Sequence, residues 1–184
     1  EIIGDILFFG SADDYLVEKN FFLDAVNAFE KNKNLKMFFG NFNETYNEKI
    51  YYTTRAKKLS KPTLLNPQVY NKKILIDQKI GYSFTPSSIY LTTLYVDIVK
   101  NIDYLYSYED THINNVIGLS YTTYYSPKTY IDWEINYNSF SKKNQKFIIY
   151  IYFKLIKIMF FSRYKKIFYL NYKIKWIFIY PLVI

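Results

Sequence analysis

Two pairs of neighbouring carboxylates are the residues whose types and positions best suit catalysis. Asp13-Asp14 follows the apolar run of residues 5–9 and the turn residues Gly10-Ser11, a pattern typical of a buried strand that ends in an acidic loop. Carboxylates at the carboxyl end of a parallel strand face the crevice in which open α/β sheets bind ligands. Such oxygens hold Mg²⁺ or Mn²⁺, and these ions neutralise charge on a departing diphosphate. A turn or a helix cap is the alternative interpretation of the same pair.

The second pair, Glu109-Asp110, stands at the start of a predicted helix that runs to about Leu119. A carboxylate at this position can act as a general base that takes the proton from an attacking hydroxyl group. Acidic residues are also favoured in the first turn of any helix by its dipole, which gives a purely structural alternative. The spacing alone leaves both interpretations open.

The composition excludes several other kinds of chemistry. The chain has 184 residues, enough for one domain, and half of them are hydrophobic, which excludes disorder over most of its length. It contains no cysteine, so disulfides, cysteine-based zinc sites and thiol nucleophiles are excluded. Because His112 is its one histidine, a metal site built from several histidines is excluded as well.

Charge divides the chain into two parts. Residues 1–140 carry 14 Lys and Arg against 16 Asp and Glu, a net charge of −2, whereas residues 141–184 carry 10 Lys and Arg and no acid. A near-neutral body followed by a basic, aromatic tail indicates an anionic partner for the tail. We therefore divide the chain into a domain of residues 1–141 and a helical tail of residues 142–184.

The first forty residues predict alternating strands and helices. After the strand at 5–9, Asn20 is a suitable cap for a helix to about Lys31, with Phe22, Val26 and Phe29 forming its apolar face. Residues 35–39 then predict a second buried strand, closed by Gly40-Asn41. This order indicates an α/β fold with a largely parallel sheet.

Farther along, the pattern is less regular. Residues 41–80 predict a loop with short strands. Thr85 and Pro86 have the types expected at the cap and first position of a helix, which we extend to about Lys100. Two short strands are expected at about 121–125 and 129–135.

The tail contains two apolar stretches, residues 147–161 and 167–184, both interrupted by lysines. Neither reaches the roughly 20 uninterrupted apolar residues that span a bilayer. Each is suited to lie in the interface of an anionic membrane, with lysines reaching the head groups. The alternative is that they are core helices of a longer protein. Basic and aromatic residues also occur together in proteins that bind single-stranded nucleic acid, but no RNA-binding signature accompanies them, so we expect no nucleic-acid partner.

Several segments together resemble the bacterial family 2 glycosyltransferases, which have the GT-A fold. Residues 5–16 (DILFFGSADDYL) resemble the metal-site strand and Asp-x-Asp loop of that family, and residues 38–42 (FFGNF) resemble its next strand. Residues 84–90 (FTPSSIY) resemble its acceptor-side segment. Residues 108–110 (YED) resemble its Glu-Asp catalytic motif, and residues 133–141 (WEINYNSFS) resemble its closing segment. The resemblance implies a partial GT-A-like nucleotide-diphospho-sugar transferase fold.

The resemblance also implies roles for individual residues. Ser11, Asp13 and Asp14 would bind the cofactor, with Asp13 as ligand of Mn²⁺ or Mg²⁺, while Asp110 would be the general base and Glu109 a supporting residue. The implied reaction is inverting transfer of a sugar from a nucleotide-sugar donor to a surface polysaccharide or lipid-linked glycan. The expected location is the cytoplasmic face of the cell membrane.

The chain departs from the family pattern in three respects. Ser11 replaces the first Asp of Asp-x-Asp, and Glu134 and Asn136 replace the closing Arg and His, so Glu134 is expected to repel a diphosphate. The upstream half of the fold, which holds the nucleotide, is missing, and we interpret the chain as truncated at its N-terminus. The alternative function is therefore an inactive remnant or a membrane-docked scaffold.

Overall fold

The computed structural model describes residues 4–10, 14–56, 58–76, 84–100 and 109–134, with the backbone alone for residues 85 and 109–112. The described strands are β1 (Ile6–Phe8), β2 (Asp14–Leu16), β3 (Leu35–Tyr46), β4 (Lys49–Thr54), β5 (Thr63–Leu65), β6 (Ser88–Leu91) and β7 (Thr122–Glu134). The described α-helices are α1 (Phe21–Lys31), α2 (Pro67–Tyr70), α3 (Thr92–Lys100) and α4 (Glu109–Ser120), and α2 is followed directly by a π-helix, Asn71–Ile76. The α/β class is confirmed by this mixture.

The sheet is mixed and mostly antiparallel, so the prediction of a largely parallel sheet is wrong. Its strands follow the order β1-β6-β3-β7-β2, with β4 also pairing with β3 and β5 with β7. Among the described strands, only β3 and β7 pair in parallel. The strands β1 and β3 do run in the same direction, as the strand–helix–strand order suggested. However, β6 inserts between them and runs the opposite way, which makes both of its pairings antiparallel.

The central strand β3 forms the middle of the core. A strand end was predicted at Gly40 and Asn41, but β3 continues through them because β7 pairs with the residues before and after this point. The pairing shifts register there, opposite Pro127 and Lys128, so the glycine and the proline mark an irregularity inside two long strands. For the same reason β7 is one strand of 13 residues and not the two short strands predicted.

Helix α1 covers one face of the sheet with the expected bounds but with a different side buried. Phe21, Ala25 and Ala28 are buried, whereas Phe22 and Val26 of the predicted apolar face are exposed and Phe29 is half-buried. The Phe21 ring contacts the rings of Phe38 and Tyr130, at centroid distances of 6.2 and 4.7 Å. The buried residues and the predicted apolar residues of α1 recur with the same helical spacing. The small side chains of Ala25 and Ala28 allow the buried side of the helix to approach the sheet closely.

The opposite face of the sheet is covered by α2, α4 and the turn before β6. The helix predicted to begin at Thr85 is instead a 3₁₀ turn, Thr85–Ser87, followed by β6, and α3 begins only at Thr92. The apolar residues Ile89 and Tyr90 of β6 are buried between β1 and β3, and this pairing overrides the local helix signal. Helix α4 begins at Glu109, as predicted.

The tail of residues 142–184 lies outside the described residues, as do the proposed division at 141 and Asn136. Within the residues that the structure does describe, no helix has the length and apolar character needed to cross a membrane.

Candidate functional site

The predicted site residues are described to different extents. Ser11 and Asp13 lie outside the described residues, whereas Asp14 is the first residue of β2. Glu109 and Asp110 form the start of α4, where the backbone alone is described. The described backbone therefore locates Asp14 and the first turn of α4.

The strand that precedes the first acidic segment ends where β6 begins. Phe8, the last residue of β1, pairs with Ile89, and Ile89 also pairs with Phe38 of β3. Ser88, the first residue of β6, pairs with Phe39. The carboxyl end of β1 and the start of β6 thus lie at one edge of the sheet, which we call the carboxyl edge.

Hydrogen bonds attach α4 to this same edge. The amide Nδ2 of Asn114 donates to Oγ of Ser88 at 3.0 Å, and that hydroxyl donates to the carbonyl oxygen of Phe84 at 2.6 Å. Ser87 donates through Oγ to the carbonyl oxygen of Gly40 at 2.5 Å. Because these groups are buried, each bond satisfies polar atoms that would otherwise be costly to remove from water.

The direction of α4 follows from its two ends. Its last residue, Ser120, is followed closely by Thr122 of β7, which pairs with Leu35 at the opposite edge of the sheet. Asp110 precedes Asn114 by about one helical turn, or about 6 Å of rise. The first turn of α4 is therefore directed toward the carboxyl edge.

Asp14 is separated from the end of β1 by the sheet itself. The structure places β1 and β2 at opposite ends of the strand order, and Asp14 pairs with Trp133 of β7. Trp133 in turn pairs with Glu44 of β3. Asp14 therefore belongs to a strand and lies beside a tryptophan, whereas the sequence suggested a continuous acidic loop with Asp13.

Glu134 has a defined set of partners. Its carboxylate accepts hydrogen bonds from Oγ1 of Thr45 at 2.7 Å and from the backbone nitrogen of Asn47 at 2.8 Å. Neighbouring residues of a strand point to opposite faces of a sheet, so Glu134 and Trp133 lie on different faces. The expected repulsion of a diphosphate by Glu134 is directed away from the face that carries Trp133 and Asp14.

The other described ionic cluster lies on the α1 side. Oδ2 of Asp24 accepts from Nζ of Lys128 and from the hydroxyl of Tyr130, each at 2.8 Å. Although burial alone would raise the pKa of Asp24, these hydrogen bonds hold the pKa below its usual value. Burial also raises the pKa of Tyr130. This cluster ties α1 to β7, which is a structural role.

The metal-binding capacity of the described part of the chain is limited. No group of three or more His, Asp or Glu side chains suited to a metal ion occurs among the described residues. Asp14 supplies one half-buried carboxylate, an oxygen donor of the type that Mg²⁺ and Mn²⁺ prefer. A cation here would need further oxygen ligands, and Asp13 is the neighbouring carboxylate in the sequence.

The pairing also reveals site candidates that the sequence did not indicate, namely Glu44 and Tyr52. Glu44 pairs with both Trp133 and Tyr52, so the four residues Tyr52, Glu44, Trp133 and Asp14 stand side by side across four strands. The residue types along β3 and β4 did not indicate this group, because they do not reveal which strands pair. No protein-family model and no curated protein matches the chain.

Proposed function

We propose that this chain is part of an inverting, metal-assisted glycosyltransferase of the GT-A type, which transfers a sugar from a nucleotide-sugar to a surface polysaccharide or lipid-linked glycan. The observation that supports this most directly is the hydrogen-bonded attachment of α4 to Ser88, because it brings the first turn of α4 toward the edge at which β1 ends. In the proposed transferase, Asp13 from the segment after β1 and Asp110 from the first turn of α4 serve one crevice.

In the proposed reaction, an acceptor hydroxyl oxygen attacks the anomeric carbon of the donor sugar from the side opposite the diphosphate. A new carbon–oxygen bond forms, and the bond between that carbon and the diphosphate oxygen breaks. The nucleoside diphosphate leaves with the bonding electron pair, and the hydroxyl proton passes to the Asp110 carboxylate. Glu109 supports the acceptor side of the site.

The metal would be held by Asp13, with Ser11 as a further oxygen donor of the same segment. A bound Mn²⁺ or Mg²⁺ supplies neutralising charge for the diphosphate. Ser11 is a weaker ligand than a carboxylate, so we expect low metal affinity in the absence of a nucleotide.

A calorimetric titration with a panel of nucleotide-sugars, in the presence and absence of Mn²⁺, tests this function. Because a family member holds the nucleotide base in segments upstream of its metal-site strand, both this chain and the longest in-frame form of the gene are titrated. We expect Asp13→Asn to abolish the Mn²⁺-dependent part of donor binding. Absence of binding heat from both forms with every donor would overturn the proposal.

A transfer assay then separates the roles of the two acidic segments. We expect Asp110→Asn to lower the transfer rate by about two orders of magnitude or more while donor binding is retained, since it removes a general base. Glu30→Gln, an exposed acid near the end of α1, is the matched control and is expected to change neither quantity.

We further propose that residues 142–184 hold the protein at the inner face of the cell membrane, since this segment carries ten positive charges and no negative ones. The full chain is expected to float with vesicles that contain anionic phosphatidylglycerol and to be released by high salt, because salt screens exposed charges. Equal flotation with purely zwitterionic vesicles would contradict the electrostatic part of this proposal.

A further inference from the structure

Four side chains form a continuous row across one face of the sheet. Tyr52 of β4 pairs with Glu44 of β3, Glu44 pairs with Trp133 of β7, and Trp133 pairs with Asp14 of β2. Residues that pair directly across strands have their side chains on the same face. The row therefore alternates aromatic, carboxylate, aromatic and carboxylate, and we call it the aromatic–acidic row.

Neighbouring contacts support the row, whose side chains are partly exposed, although Oδ1 of Asp14 is buried. The Phe42 ring packs edge-on against Trp133, with a centroid distance of 6.1 Å, and fixes the indole from one side. Thr54 donates through Oγ1 to Oε1 of Glu44 at 3.1 Å, which orients the carboxylate. Tyr52 is 38% exposed, and the other three members of the row are half-buried.

The row lies on the sheet face that the Phe84 segment and α4 also cover. Phe42 precedes Glu44 by two residues in β3 and contacts the ring of Phe84, which leads into the turn before β6. Because neighbouring strands lie about 4.8 Å apart, Tyr52 and Trp133 stand about 10 Å from each other. The row is therefore on the same face as the helix that carries the proposed general base.

The chemistry of the row matches a sugar chain. The C–H-bearing face of a pyranose ring is apolar and is attracted to the electron-rich face of an aromatic ring. Its hydroxyls are hydrogen-bond donors for ionised carboxylates, which are acceptors only. Two carboxylates in the row repel an anionic polymer, so the pattern favours a neutral glycan.

We propose that the aromatic–acidic row is a binding site for a neutral oligosaccharide, with sugar rings stacked on Tyr52 and Trp133 and their hydroxyls bonded to Glu44 and Asp14. The assignment of this oligosaccharide as the acceptor rests on the proposed transferase function. Binding of the oligosaccharide itself does not require that function, because no donor or metal takes part in it.

Tryptophan fluorescence offers a direct test, since the chain has two tryptophans and Trp176→Phe leaves Trp133 as the only reporter. The variant chain is titrated with cellohexaose, chitohexaose and a hyaluronan hexasaccharide. We expect the neutral oligosaccharides to change the Trp133 emission in a saturable way and the anionic one to leave it unchanged. No change with either neutral oligosaccharide would overturn the proposal.

Tyr52→Ala is expected to weaken this binding by roughly five- to tenfold, because it removes one stacking contact. The matched control is Tyr15→Ala: Tyr15 follows Asp14 in β2, is 61% exposed and pairs with Asp132, so its side chain lies on the opposite face. Equal losses in Tyr52→Ala and Tyr15→Ala, or none in Tyr52→Ala, would refute the site.

The titrations distinguish this site from the proposed function. Saturable quenching without any nucleotide-sugar binding would keep the oligosaccharide site and reject the transferase. Nucleotide-sugar binding without quenching by the neutral oligosaccharides would keep the transferase and reject the aromatic–acidic row.

Discussion

Replacement of Gly40 by alanine is expected to destabilise the fold strongly, because the Tyr130 ring fills the space that a β-carbon would need. An ideal β-carbon at this position would overlap two carbons of the ring, and it would also lie 3.1 Å from the carbonyl oxygen of Lys128. Tyr130 has no exposed surface, so its ring cannot swing into solvent without leaving the core. Relief requires movement of the ring or of the backbone of β3.

The magnitude follows from what that movement breaks. Overpacking of a core costs about 2 kcal/mol. The hydroxyl of Tyr130 also donates to the Asp24 carboxylate at 2.8 Å, and loss of a hydrogen bond to a charged group costs about 2 kcal/mol more. We therefore expect Gly40→Ala to lower the free energy of unfolding by about 2–4 kcal/mol, measured by urea denaturation at pH 7.

A double-mutant cycle tests the cause. In a Tyr130→Leu background the planar ring is absent, so Gly40→Ala should cost at least about 1 kcal/mol less than in the wild type. Gly10→Ala is the control, since the nearest atom to its β-carbon is the edge of the Phe8 ring at 3.0 Å, and it should change stability by less than about 1 kcal/mol. A cost of Gly40→Ala that is below about 1 kcal/mol, or equal in both backgrounds, would refute the steric argument.

Three further predictions concern local interactions. Glu48 adopts a φ of 61° in the hairpin turn between β3 and β4, a conformation that glycine adopts without strain. Glu48→Gly should therefore raise the unfolding free energy by about 0.5–1 kcal/mol in urea denaturation, and a decrease would contradict this account. The hydrogen bond from Lys128 holds the pKa of Asp24 below its usual value, so this bond stabilises the fold above about pH 4 and is lost as pH falls through the folded-state pKa. The difference in unfolding free energy between wild type and Asp24→Asn should therefore shrink between pH 7 and pH 3. A difference that stays constant over this range would contradict the role of the bond. Asn114→Ala should lower the unfolding free energy by about 1–3 kcal/mol in urea denaturation. The loss should be smaller in a Ser88→Ala background, because either substitution removes the hydrogen bond between these two side chains. Equal losses in the two backgrounds would refute the role of that bond.

Several elements were predictable because their signals are local. The bounds of α1 and the start of α4 were predicted from residue types within a dozen positions, although the side chain of Asn20 makes no cap hydrogen bond. The strand β1 was predicted by a short apolar run ended by glycine. These signals depend on neighbouring residues alone, so they can be read without knowledge of the fold.

The errors arose where distant parts of the chain compete for the same element. The residues from Ser88 carry a helix signal, yet they form β6 because two strands pair with them and bury Ile89. The buried side of α1 was predicted wrongly because Phe21 and Phe22 each begin a set of apolar residues with the same helical spacing. The contacts of Phe21 with Phe38 and Tyr130 of the sheet show which set is buried. In both cases burial outweighs local propensity.

The sequence by itself determined which chemistry is available: two acidic pairs, no cysteine, one histidine and a basic tail. The tertiary structure decided which of these groups are neighbours. It directed the first turn of α4 toward the end of β1 through Asn114 and Ser88, and it put Asp14 next to Trp133, residues more than a hundred positions apart. The local sequence of a strand does not specify which strand pairs with it, because the same backbone groups form hydrogen bonds with any strand that packing of the core places alongside.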